Sequence, residues 1–242
     1  MPEEWNVKEN CRICSSGKVI KYFDFGKMPL VDSFIGAGEP GDLRVPLEVM
    51  FCPNCALSQL SVVVNPKILF SDYLYHSSVS RTFSAHCAQM ARELKELLKR
   101  GAIESHGETA KILKCLDIAS NDGCLLKEFK NEGYQVIGVD PAENLCAIAE
   151  ESGVPSIADF WGREAARKVV QRIGRLDVIT ATNVFAHVDD LHEFVEAAHS
   201  ALQEEGILVI EFPYMGNLIR YHEFDTIYQE HLSYFLVKPL LT

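Results

Sequence analysis

The chain has 242 residues, 48% apolar and 24% charged, with a formal net charge of −11. That length suits one large domain or two small ones, and the composition is that of an ordinary globular protein. The acidity without a dense Lys/Arg stripe argues against nucleic acid, and no run of 18 apolar residues offers a membrane span.

The opening MPEEWNVKEN is polar and acid-bearing, unlike a signal peptide, so the expectation is a cytoplasmic protein with reduced thiols. Two knuckles follow, CRIC (Cys11, Cys14) and CPNC (Cys52, Cys55). Each sets two thiolates on a tight turn, and together they complete a tetrahedral four-sulfur zinc site. The competing readings are ordinary buried thiols or a redox pair, and the latter needs a neighbouring βαβ pattern that is missing here. Four thiolates leave no open coordination position, so the metal is expected to be structural. The segment between the knuckles is long enough for its own strands, predicted at Val19–Phe25 and Val45–Phe51. The remaining Cys87, Cys115, Cys124 and Cys146 are scattered and read as small core residues.

Beyond the knuckles, NPKILFSDYLYHSSVS (65–80) carries Tyr73, Tyr75 and a serine cluster, and reads either as surface or as a lid over a ligand. Arg81–Arg100 places Phe83, Cys87, Met90, Leu94, Leu97 and Leu98 at helical spacing, with Gly101 as the expected stop and Gly101–Thr109 as a linker. These features divide the chain into an N-terminal domain (1–65), a linking segment (66–110) and a C-terminal domain (111–242).

The third part alternates strands and helices. Strands are predicted at Ile112–Ala119, Tyr134–Asp140, Pro155–Phe160, Leu176–Asn183 and Gly206–Phe212. Helices are predicted after SNDG to about Asn131, and at Ala142–Glu151, Gly162–Ile173 and Asp190–Leu202. This is an α/β pattern with a doubly wound parallel sheet, which binds ligands at the carboxyl ends of its strands. Asp117 and Asp140 close the first two strands, and a carboxylate in the second position suits ribose hydroxyls. The loop DIASNDG holds one glycine, Gly123, instead of GxGxxG. That disfavours a dinucleotide pyrophosphate and suits S-adenosylmethionine, while other doubly wound folds stay open.

Near the end, FDTIYQEHLSYF sets His231 between Tyr228 and Tyr234. A histidine beside tyrosines is more often a satisfied structural residue than a catalytic one. The motifs CRIC, CPNC, YLYHSSVS, DIASNDG, GVDPAEN, NVFAHVDDL, EFPY and FDTIYQEHLSYF nevertheless stand in an order that resembles the C-methyltransferases of nucleotide-linked keto-deoxysugars, over essentially the whole chain. The resemblance implies a small N-terminal zinc-binding domain, then a Rossmann-like class I methyltransferase domain. It implies a cofactor site lined by Asp117, Ala119, Asn121, Gly123, Asp140, Pro141, Asp159, Phe160 and Asn183. It also implies that Tyr75, His187, Tyr228, Glu230 and His231 face the sugar, with His231 as general base for an enolate. On a helix, Tyr228 would share the face of His231 and Glu230 would point elsewhere. Gln229 stands where many relatives carry another histidine, so that position reads as inessential.

Methyltransferase sheets of this type end in an edge hairpin, and the resembled family adds a C-terminal domain. Neither finds room before Thr242, so the expectation is a partial copy completed by a missing half or a partner chain. Two other classes remain: a non-catalytic zinc- and cofactor-binding module or interaction subunit, and a small-molecule O- or N-methyltransferase.

Overall fold

A computed structural model describes residues 4–34, 36–37, 43–71, 73–104 and 112–242, with the side chains of 99–104 outside the description. The chain forms two units. The first gathers Met1–Ser71, Asn183–His192 and Glu211–Thr242; the second gathers Asp72–Thr182 and Glu193–Ile210.

In the first unit, β1 (Trp5–Val7) pairs antiparallel with β5 (Val62–Val64). A four-stranded antiparallel sheet has the order β11-β4-β3-β2, from β2 (Ile20–Pro29), β3 (Arg44–Phe51), β4 (Ser58–Leu60) and β11 (Ser233–Tyr234). The two strands predicted between the knuckles are therefore present as β2 and β3. β3 alternates in the manner of a half-buried strand, with Val45, Leu47 and Val49 inside. Leu47, Val49, Leu60, Val63, Leu218, Leu232 and Tyr234 form one core cluster. Helices α1 (Pro66–Phe70), α7 (Met215–Tyr221) and α8 (Val237–Leu240) complete this unit. The Asn65 side chain caps α1 by accepting from the Lys67 N–H at 3.1 Å.

β11 comes from the far end of the sequence. Ser233 and Tyr234 pair with Gln59 and Ser58, so FDTIYQEHLSYF joins the sheet that carries the second knuckle, not the parallel sheet. The segment is also not a helix. A 3₁₀ turn spans Phe224–Thr226, and the His231 N–H then bonds the Tyr228 carbonyl at 3.1 Å in a tight turn.

The second unit holds the parallel sheet. Its order is β10-β9-β6-β7-β8, built from β6 (Lys114–Ile118), β7 (Gln135–Asp140), β8 (Ser156–Ala158), β9 (Leu176–Thr182) and β10 (Leu202–Glu211). β6 pairs in parallel with β7 and β9, and β7 with β8. The five predicted strands are all here; β10 starts earlier than expected. The helices are α2 (Arg81–Glu104), α3 (Cys124–Asn131), α4 (Glu143–Glu151), α5 (Arg163–Ile173) and α6 (Leu191–Ala201). Cys87, Ala91 and Leu94 of α2 share a core with Leu125, Leu126 and Phe129 of α3, which explains their helical spacing. Gly101 does not end α2, which continues to Glu104; a helical glycine costs only about 1 kcal/mol against alanine. The rest of the predicted linker, 105–109, lies outside the described residues. No described helix is long and apolar enough to cross a membrane.

Candidate functional site

The two knuckles converge. Their four sulfurs lie within 4.8 Å of one another, with Cys11 and Cys55 at 3.5 Å and Cys14 and Cys52 at 3.5 Å. Tetrahedral Zn–S bonds of about 2.3 Å require sulfurs roughly 3.8 Å apart, so the donor set fits zinc. The knuckles share one backbone design. The Ser15 N–H bonds the Cys11 carbonyl at 3.0 Å, and the Ala56 N–H bonds the Cys52 carbonyl at 2.8 Å. Ser15 and Ala56 both take left-handed φ, 57° and 70°. Neither is glycine, so each turn carries a cost of about 1–2 kcal/mol, which closing the metal site offsets.

In the second unit, the loop after β6 turns through three left-handed residues, Ala119, Asn121 and Gly123. Asp140, at the end of β7, clamps it. One carboxylate oxygen accepts from the Asn121 N–H at 2.8 Å and the other from the Ala142 N–H at 2.9 Å. Each oxygen keeps acceptor capacity, which fits a pair of hydroxyls. The single-glycine loop offers no pyrophosphate cradle. Burial holds the Asp140 carboxyl above its usual range despite those two bonds. The Asp159 N–H bonds the Asp140 carbonyl at 3.0 Å, which brings Asp159 beside this end of the sheet, where Lys168 pairs with it at 2.7 Å. Pro141 and Phe160 adjoin these acids and are half-buried. Asn183 follows β9 with φ 55° and is exposed; it falls in the first unit.

Two residues of this loop bond the YLYHSSVS segment. Asn121 is occupied by the YLYHSSVS segment: its Nδ2 donates to the Tyr75 carbonyl at 2.9 Å and its Oδ1 accepts from the Ser77 N–H at 3.0 Å. Asp122 Oδ2 accepts from the Ser78 N–H at 3.0 Å, and Asn144 Nδ2 donates to the Tyr73 carbonyl at 3.0 Å. These four bonds lay the stretch across the loop as a strap.

Asp117 is 2% exposed and accepts from Thr180 Oγ1 at 2.7 Å. Burial, with the nearby Asp140 charge adding to it, pushes its carboxyl up to about 7 although the Thr180 bond opposes the shift. A folded pKa above the unfolded one favours the protonated fold, so stability is full below about pH 4 and falls as pH rises toward 7. Asp117→Asn keeps an acceptor for Thr180 and removes the buried charge. It should raise the urea midpoint at pH 8 by the equivalent of about 1–3 kcal/mol and change little at pH 4; equal shifts at both pH values would contradict this.

Gly138 was not anticipated. A Cβ there would come within 2.8 Å of the Ser120 Cβ, so β7 must carry glycine where the loop crosses it. A glycine inside a strand, as in YQVIGVD, is the available signal of such an approach.

The histidine cluster lies in the first unit. His231 Nδ1 is 2.7 Å from the Thr226 carbonyl, which can only accept, so Nδ1 carries the proton. The Nε2 lone pair then faces Tyr228, whose hydroxyl donates at 3.0 Å. Tyr228 and His231 thus meet as expected, but across a turn. His187 packs edge-on to His231 with centroids 4.9 Å apart, and Glu230 Oε2 approaches His187 Nδ1 at 3.9 Å. Glu230 is 3% exposed, so it belongs to this cluster and does not point away. Burial lowers His231 below its ordinary value, against the opposing Thr226 bond. Burial, then His231, lowers His187 to about 3. Burial, then the Glu230 charge, pushes Tyr228 up to about 12. Both imidazoles are therefore neutral near pH 7. Gln229 is buried and donates to the Pro29 carbonyl at 3.0 Å, so it anchors the turn to β2. Tyr75 belongs to the second unit and is 48% exposed.

Over residues 84–239, more than half of the chain, the sequence matches the family described as "Methyltransferase domain". Residues 11–70 match the family described as "Putative zinc binding domain". The chain is similar to C-methyltransferase NovU of Streptomyces niveus, 32% identical over 236 residues, which are 97% of this chain and 54% of NovU. It is also 33% identical over 99 residues to the ubiquinone biosynthesis O-methyltransferase of Methylobacterium nodulans, 39% of each. The solved PH0226 protein of Pyrococcus horikoshii OT3 is similar at TM-score 0.46 and 19% identity, over 61% of this chain and 62% of that one. The chain spans about half the length of NovU and less of the O-methyltransferase. With the four converging thiols, the two family matches establish that the chain belongs to the methyltransferase family, with a zinc-binding domain ahead of its methyltransferase domain.

Proposed function

We propose that the chain carries the cofactor-binding and proton-abstracting parts of an S-adenosylmethionine-dependent C-methyltransferase acting on a nucleotide-linked keto-deoxysugar. The observation that carries the reading is the fixed tautomer of His231, which holds a neutral lone pair at Nε2. Similarity to a protein named as a C-methyltransferase supports transfer to carbon.

Carbon methylation needs a C–H proton removed first, which an adjacent ketone permits by taking the electron pair onto oxygen as an enolate. In this step the Tyr228 hydroxyl turns from Nε2 to the ketone oxygen, the freed Nε2 lone pair of His231 accepts the C–H proton, and the Tyr228 hydroxyl donates to the resulting enolate oxygen. Tyr75, His187 and Glu230 contact the sugar. S-Adenosylmethionine, when bound, supplies an electrophilic methyl group; Asp140 accepts from its ribose, and Ala119, Asn121, Gly123, Pro141, Asp159, Phe160 and Asn183 surround it. Asp117, at the end of β6, belongs to the same set. Zinc at Cys11, Cys14, Cys52 and Cys55 is structural. The reaction takes place in the cytoplasm.

Asp140→Ala should weaken S-adenosylmethionine binding by about 1.5–3 kcal/mol, the scale of lost charge-assisted hydrogen bonds; unchanged affinity by calorimetry would remove Asp140 from the site. The test of the whole reading is transfer from methyl-labelled S-adenosylmethionine to a nucleotide-linked keto-sugar. The label should appear in NMR as a methyl on the carbon next to the ketone. Label on oxygen would favour the second reading, small-molecule O-methylation, which the partial similarity to an O-methyltransferase supports.

A further inference from the structure

The knuckle residue Arg12 is 4% exposed, although a charged side chain is costly to bury. Its guanidinium reaches three acceptors at once. Nε donates to Asp189 Oδ1 at 3.0 Å, and Nη1 donates to the Leu60 carbonyl at 2.9 Å and to the Leu232 carbonyl at 3.2 Å. Its own N–H donates to Gln59 Oε1 at 2.9 Å. Burial pulls its pKa down and the Asp189 charge opposes this.

The partners matter by position. Leu232 directly follows His231, and its carbonyl also accepts the Leu60 N–H at 2.9 Å. Asp189 lies two residues after His187 and also pairs with Lys8 at 3.0 Å. His192 Nε2 reaches the Ile13 carbonyl at 2.7 Å, a second tie between this knuckle and the segment that carries His187. One planar fork in the first metal knuckle therefore bonds the backbone next to His231 and the Asp189 carboxylate two residues from His187. A lysine carries its three donors on one nitrogen and cannot reproduce the planar fork that spans these separated acceptors.

We infer that Arg12 is a positioning residue that transmits the geometry of the zinc knuckle to His231 and His187. The inference rests on the proposed role of His231 only for its effect on rate; its effect on the imidazole is independent of that role. Arg12→Lys and Asp189→Asn test it from both ends of the link, in protein carrying ¹⁵N-labelled histidine. The wild type should show His231 protonated at Nδ1 and bare at Nε2. In Arg12→Lys the two nitrogens should move toward averaged shifts and the pKa should rise toward that of free histidine, with one zinc per chain retained by elemental analysis. Asp189→Asn should move the His187 signals in the same assay. Deuterium exchange next to the ketone of a keto-sugar should fall roughly 10²-fold in Arg12→Lys, the scale of a small misplacement at a reacting centre, with cofactor affinity unchanged. Unaltered histidine signals in both variants would overturn the inference. So would loss of zinc from Arg12→Lys, which would make Arg12 a metal-folding residue. Absence of exchange in the wild type would instead strike the proposed function, while the histidine signals would still decide the role of Arg12.

Discussion

Replacement of Cys52 by Ser, or removal of the metal with a chelator, is expected to unfold the cysteine-bearing unit together with the far C-terminal histidine segment. Metal binding is folding energy at such sites, on the order of 10 kcal/mol in small zinc modules, which exceeds the stability of a typical small domain. The reach of the effect follows from topology. β11 hydrogen-bonds to β4, which begins three residues after the ligand Cys55, and Leu232 and Tyr234 lie in the same core as Leu47 and Leu60. Amide hydrogen exchange should therefore show protection lost at 44–64 and at 231–235 together, while β6, β7 and β9 keep theirs. A metal-free chain that keeps protection at 231–235 would show that this segment does not depend on the knuckles. A normally folded protein purified without zinc would remove the metal site altogether.

The second large effect concerns the proton on carbon. In deuterated water and without methyl donor, the enzyme should wash deuterium into the position next to the ketone of a nucleotide-linked keto-sugar, and His231→Ala should slow that exchange by about 10²–10⁴-fold, the usual worth of a positioned general base. The pH dependence has a definite sign. Burial lowers the folded pKa of His231, so the neutral, active form persists below the ordinary histidine value of 6.5, and the acid limb of the rate should lie below that pH. Protonating the group also costs fold stability, which is full above pH 6.5 and lost as pH falls toward the folded pKa. An acid limb above 6.5, or undiminished exchange in the variant, would assign the base to another residue.

What the sequence determined by itself is local. The CxxC spacing encodes a knuckle because two thiolates and one tight turn fit within four residues, and the thiols converge as that spacing requires. The apolar runs of β6, β7 and β9 read as buried strands because each is covered on both faces, and Asp140 could be placed at its strand end from position alone. The three-residue separation of Tyr228 and His231 brought them together, since a turn and a helix close the same interval.

Tertiary structure decided the rest. Nothing in FDTIYQEHLSYF says that Ser233 and Tyr234 pair with Gln59 and Ser58, because strand pairing is set by backbone groups that every sequence carries. The spacing of CRIC speaks only for its cysteines; the partners of Arg12, at Leu60, Leu232 and Asp189, come from distant parts of the chain. The sequence marks Asn121 and Asp117 at the strand ends but not their partners: the strap engages one and Thr180 the other. In each case the deciding hydrogen bond joins residues distant in the chain. Periodicity records which face of an element is apolar; it does not record which distant carbonyl or carboxylate a buried donor will meet.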